Sequence, residues 1–103
     1  MINHQYIINA SLQLVPIQTG AKHPYQWVDE VIDIIKASGV IYEVGPFSTS
    51  LESDYKSIMG VIEKINAYLL HQHCPEWLLQ VQFQIRSEGP IGAAEKVEKH
   101  RLG

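Results

Sequence analysis

Cysteine, phenylalanine and tryptophan are scarce here, with one, two and two copies in 103 residues. No stretch approaches the roughly 20 consecutive apolar residues that cross a membrane as a helix. The lone Cys74 excludes an intrachain disulfide and cannot by itself build a thiolate metal cage, which fits a reducing compartment. Basic residues are also few: eight Lys and Arg against eleven Asp and Glu give a formal net charge of -3. They are scattered until a short late cluster, so no basic face offers itself to a phosphate backbone, and nucleic acid is not an expected partner. The N-terminal run MINHQYIINASLQLVP has no basic region followed by a long apolar stretch. The expectation is a cytoplasmic protein without membrane insertion.

What is present is an ordinary globular balance, 46% hydrophobic and 18% charged, far from the composition that keeps chains disordered. The length suits one domain over residues 1–103, with a core of about 5–87 and a C-terminal tail over 88–103. There is no internal repeat, and the charged segment 95–101 is the one low-complexity feature.

Residues 5–14 alternate, with Tyr6, Ile8, Ala10, Leu12 and Leu14 on one parity and Ile7, Asn9, Ser11 and Gln13 on the other. This predicts a strand with one wet face, ended by Pro16. After a small, polar loop over 18–23, Pro24 suits the first position of a helix. Trp27, Val28, Val31, Ile32, Ile34 and Ile35 form its apolar stripe, and Gly39 supplies the left-handed stop. Two short runs, 40–44 and 47–52, flank Gly45-Pro46 and predict a bent hairpin. Ser53 is the expected cap of a second helix, with Asp54 near the positive end of its dipole and a stripe of Tyr55, Ile58, Met59, Ile62, Ile65 and Leu69. Residues 77–86 give the clearest strand, Trp77, Leu79, Val81, Phe83 and Ile85 against Leu78, Gln80, Gln82, Gln84 and Arg86. Residues 93–102 predict a further short helix.

The order β, α, β, β, α, β predicts an α+β, ferredoxin-like sandwich: a four-stranded antiparallel sheet with two helices on one face. The greasy parities of the outer segments then face the helices, and the amide-rich parities face away. On this expectation the first and last strands lie apart but share one surface that carries Ile7, Asn9, Ser11, Gln13, Leu78, Gln80, Gln82, Gln84 and Arg86. Such a surface has two readings: a face packed against another subunit, or a pocket for a neutral or cationic heterocycle with its own donor and acceptor pattern.

Three segments carry a resemblance: Ser11-Leu-Gln-Leu-Val-Pro16 in the first strand, Ala37-Ser38-Gly39 at the helix end, and above all Tyr42-Glu-Val-Gly-Pro-Phe-Ser-Thr-Ser-Leu-Glu52. The chain resembles the thiamine-binding, YkoF-like protein family over about residues 8–86, with Ser53 where members often carry glycine. The resemblance implies a ferredoxin-like domain, self-associating to a dimer or tetramer, that binds thiamine or its hydroxymethylpyrimidine moiety without transforming it, in thiamine uptake or salvage. It implies no cofactor.

The candidate ligand-binding residues are Ser11, Gln13, Tyr42, Glu43, Ser48, Thr49 and Gln82. An aminopyrimidine presents an amino donor beside ring-nitrogen acceptors, and hydroxyls, amides and a carboxylate answer both. A carboxylate or an aromatic wall, Tyr42 or Trp27, also suits the thiazolium cation. Each has a plainer reading: Glu43 as a solvated strand residue, Thr49 as a β-former, Ser11 as a small filler, Tyr42 and Trp27 as core, Gly45-Pro46 as the bend. His71, His73 and Cys74 put three metal-ligand types within four residues, but positions i and i+2 of a helix point apart. No Gly-rich phosphate loop, nucleophile elbow or metalloprotease helix occurs, and the loop after the first strand lacks the arginine of an acylphosphatase, so no enzymatic activity is expected. The alternative to ligand binding is an oligomeric interaction domain whose polar face serves assembly alone.

Overall fold

The computed structural model describes residues 2–91. Its elements follow in the order β1 (Ile8–Gln18), α1 (Pro24–Ala37), β2 (Ile41–Val44), β3 (Thr49–Ser53), α2 (Tyr55–His71) and β4 (Glu76–Gln84). This is the α+β, ferredoxin-like βαββαβ arrangement, with a four-stranded sheet ordered β2-β3-β1-β4 and antiparallel at every step. The short helix expected over 93–102 lies outside the described residues.

The period-two pattern of the sequence becomes a division between faces. Ile8, Ala10, Leu12 and Leu14 of β1 are buried beneath the helices together with Leu51 of β3. From α1 come Trp27, Val31 and Ile35, and from α2 Ile58, Val61, Ile65 and Leu69. These seven recur at three- and four-residue spacing, which places each set along one stripe of its helix. β4 alternates without a break, its Trp77, Leu79, Val81 and Phe83 half-buried and its Leu78, Gln80, Gln82 and Gln84 exposed.

Pro16 does not end β1. The strand runs on to Gln18 because β3 stops opposite Leu12, so that beyond this point β1 is bonded to β4 alone. A proline, which has no N–H to donate, is tolerated where one side of the strand has no partner. A register shift between Pro16 and Gln18 absorbs the irregularity. The first and last strands are likewise not apart. They are hydrogen-bonded neighbours over Asn9–Gln18, with Ser11 opposite Gln82 and Gln13 opposite Gln80. Their polar side chains therefore form one contiguous surface.

Helix caps set the chain direction at the sheet ends. α1 begins after His23, whose Nδ1 accepts the Tyr25 N–H at 3.2 Å, and ends at Ser38 before Gly39 at φ 82. Ser53 belongs to β3, and Asp54 caps α2 in its place, since the carboxylate reaches the Ser57 N–H at 3.2 Å. Asn9 has the parity of the open face yet is 7% exposed, because its Nδ2 donates to the Ile91 carbonyl while the Ile91 N–H donates to Ile7. The chain thus returns after β4 to cover one end of the open face.

Candidate functional site

Directly opposed residues of neighbouring strands point to the same side of a sheet. The registers therefore draw a row across the open face, Glu43, Ser50, Ser11 and Gln82, one from each strand in spatial order. The adjacent row on β1 and β4 is Gln13 and Gln80. Ser11, Gln13, Gln80 and Gln82 thus mark the corners of a rectangle roughly 7 by 5 Å, two residues along each strand by one strand spacing. A depression of about 300 Å³ lies over it, lined by these four residues with Phe47, Ser48 and Val81.

The wall comes from the hairpin between β2 and β3. The Gly45 N–H donates to the Ser48 carbonyl at 2.8 Å, a tight turn that holds Phe47 outward, 81% exposed. The room for this turn exists because β3 stops at Thr49, leaving the far half of β1 unaccompanied on that side. On the other side of the same notch a second cleft, about 280 Å³, is bounded by Leu12, Leu14, Val28, Ile32, Tyr25, Val44 and Pro46. Gln13, Phe47 and Ser48 belong to both depressions. Among the described residues, no side chain that lines either one carries a charge.

Of the candidate residues, the structure brings Ser11, Gln13, Ser48 and Gln82 together around the open-face depression. Glu43 shares that face but stands two strands from Ser11, roughly 10 Å away, and lines neither depression. Thr49 and Tyr42 are on the opposite, helix-covered side. Thr49 is 6% exposed, faces Leu12 in register and lines the helix-side cleft, and Tyr42 is opposite Leu51 and packs against the core. The readable signal was Leu51, the one large apolar residue of β3, which fixes Thr49 to the inner parity. Sequence reasoning left Gln80, Phe47 and Tyr25 out of the candidate set. Gln80 followed from the same alternation as Gln82, whereas the position of Tyr25 depends on how α1 docks and had no local signal.

A second polar group ties the loop before α1 to both helices. Lys22 Nζ is 2.7 Å from Glu30 Oε1 and 4.2 Å from the centroid of the Trp27 ring, and the Tyr68 hydroxyl donates to the same carboxylate oxygen. The bond from Lys22 first, and then that from Tyr68, hold the Glu30 carboxyl below its ordinary range. The Glu30 acceptor in turn raises the Tyr68 phenol. Trp27 Nε1 donates to the Thr19 carbonyl at 2.9 Å and fixes the loop from within. This cluster closes the back of the fold.

His71 and His73 are exposed, while Cys74 is buried with its Sγ 3.8 Å from the Gln18 carbonyl. Burial pushes the Cys74 thiol above its usual range. Among the described residues no group of three or more His, Cys, Asp or Glu side chains is placed to hold a metal ion. No helix of the described residues is long and apolar enough to cross a membrane.

The sequence matches the model of the family described as "Thiamine-binding protein" over residues 10–101. A UPF0045 protein of Clostridium perfringens is 29% identical over 93 residues, 90% of this chain and 96% of that one. Among solved structures, a domain of unknown function, DUF77, from Bacillus cereus superposes with a TM-score of 0.85 at 28% identity, covering 94% of this chain and 92% of the other. A Thermotoga maritima protein assigned provisionally to thiamine biosynthesis or salvage superposes with a TM-score of 0.79 at 29% identity, covering 92% and 99%.

Proposed function

The chain belongs to the thiamine-binding protein family, and we propose that it binds thiamine, or the hydroxymethylpyrimidine moiety of thiamine, on the open face of the sheet without transforming it. The observation that carries this reading is the rectangle of Ser11, Gln13, Gln80 and Gln82 under one depression. Its size is that of a single heteroaromatic ring. Each amide offers both a donor and an acceptor, and each hydroxyl can act either way, so the amino group and the ring nitrogens of an aminopyrimidine all find partners. A site built from such groups rejects an analogue that lacks them, because its own donors would be left unpaired. Ser48 and Phe47 close the side. The role that fits is thiamine uptake or salvage in the cytoplasm.

A second reading has its own support. Ile41 and Leu78 are 66% and 49% exposed and belong by register to the open face, at opposite ends of it. An apolar rim around polar groups suits packing against a second copy, as a dimer or tetramer, and the two readings are compatible. Titration calorimetry with thiamine and with free hydroxymethylpyrimidine separates them. Saturable binding, weakened about five- to tenfold by Gln82→Leu through the loss of one or two hydrogen bonds, supports the ligand site. No heat up to millimolar ligand leaves assembly alone.

A further inference from the structure

The two edges of the sheet are not alike. β2 is four residues long and runs into Gly45-Pro46, which leaves a further strand little to pair with. β4 is the other edge, nine residues bonded to β1 on one side and, among the described residues, to no strand on the other. Between Glu76 and Gln84 it has no proline, no lysine and no bulge of its own, so the usual guards against strand addition are missing. Its helix-side residues Trp77, Leu79, Val81 and Phe83 are half-buried, whereas Ile8, Ala10, Leu12 and Leu14 beside them on β1 are buried. An apolar band therefore runs along the free edge.

We infer that β4 pairs antiparallel with β4 of a second copy of this chain, about a two-fold axis through Val81, and that the second copy thereby brings amides to the ligand site. The occupant is argued from the strand itself, which carries the same alternation in both directions from Val81. Around that axis Leu79 lies opposite Phe83 of the second copy, so the half-buried apolar side chains cover one another. On the open face Gln80 lies opposite Gln82 of the second copy. Glu76 and Arg86, the two charged residues of 76–86, also fall opposite each other, and their signs are complementary. Moving the axis to Gln80 or Gln82 loses that match, and a one-residue slip of either strand sets amides against apolar side chains. Arg86 Nη1 donates to the Pro90 carbonyl of its own chain, and the match needs only the nearness of its charge. The amides of the second copy then border the depression roughly 5 Å from Gln80 and Gln82. This last step rests on the pyrimidine reading above, while the strand pairing does not.

Val81→Cys puts one thiol of each copy on the axis, and the buried Cys74 does not compete. Treated with the thiol oxidant diamide, this variant of the full chain should link into a covalent dimer. Leu79→Cys and Phe83→Cys should each stay mostly unlinked alone and link when mixed. Hydrogen exchange on the unmodified chain should protect every second amide of β4, those directed away from β1, and lose that protection on dilution. Failure of Val81→Cys to link, equal linking by all three variants, or a dimer mass without protection in β4 would overturn the inference. Val81→Lys, which sets like charges on the axis, should give the mass of one chain with unchanged circular dichroism. It should bind hydroxymethylpyrimidine about three- to tenfold more weakly than the dimer. Equal affinity would overturn the shared site and leave the strand pairing in place. If the linked dimer forms but no pyrimidine binds to it, the pyrimidine reading falls and the shared site with it.

Discussion

At the scale of single residues, four side chains tie stability to pH: the carboxyls of Asp54 and Glu30 are lowered, and the Tyr68 phenol and the buried Cys74 thiol are raised. Asp54 accepts the Ser57 N–H at 3.2 Å and the Ser57 hydroxyl at 2.6 Å. The Ser57 hydroxyl is the main cause that holds its carboxyl below the ordinary range, as Lys22 and Tyr68 do for Glu30. A lowered carboxyl contributes stability above its unfolded value, near pH 4, and loses it as the pH falls through the folded value. The Tyr68 phenol is raised, so its contribution is complete below about pH 10 and is lost as the pH rises through the folded value. Thermal melts should therefore be flat through neutrality and decline on both sides, and Tyr68→Phe should remove part of the alkaline decline. Asp54→Ala should cost about 1 kcal/mol in denaturant unfolding at pH 7, the usual worth of an N-cap. A flat alkaline limb in the unmodified protein would contradict the assignment of Tyr68 as donor to a charged Glu30.

At the scale of elements, the hairpin between β2 and β3 sets the shape of the site. A Cβ added at Gly45 would come within 2.9 Å of the Ser48 carbonyl oxygen, a backbone atom that cannot rotate away. Gly45→Ala should shift the turn, with a cost of about 1–3 kcal/mol. Because the same turn carries Phe47 and Ser48, ligand affinity should fall in protein that is still folded, as circular dichroism and calorimetry on one sample would reveal. The helices and β4 were legible in the sequence because a 3.6- or 2-residue period, a proline at the first position of α1 and a stop at Gly39 are local signals, whereas the cap of α2 fell on Asp54, one residue after the Ser53 expected. Proline at position 16 misled because its effect depends on whether a strand lies alongside, and that is decided by β3, more than thirty residues later in the chain. The adjacency of β1 and β4 is likewise a long-range pairing that no local pattern contains. Ser11, Gln13 and Gln82 were legible from parity alone, whereas Thr49 and Tyr42 were drawn toward the site by their motif, although Leu51 beside them points inward.

At the scale of the whole molecule, one sheet divides the work. Its inner face, with Ile8, Leu12, Leu51 and the helical stripes, holds the fold together. Its outer face is left with amides and hydroxyls, with the carboxylates of Glu43 and Glu52 toward the β2 and β3 side, and with isolated apolar residues at the rim. The notch where β3 stops adjoins both sides, and Gln13, Phe47 and Ser48 line the depression on each. If Ile41 and Leu78 mediate assembly, replacing both by Lys should lower the native mass to that of one chain, and calorimetry on the monomer would then tell whether the ligand site is complete within a single copy. The most direct test of the central claim is the pattern of backbone amide shifts in an NMR titration with hydroxymethylpyrimidine. The account predicts saturable changes concentrated at Ser11, Gln13, Ser48, Gln80 and Gln82. Changes confined to the Lys22, Glu30 and Tyr68 cluster, or no change at millimolar ligand, would contradict it.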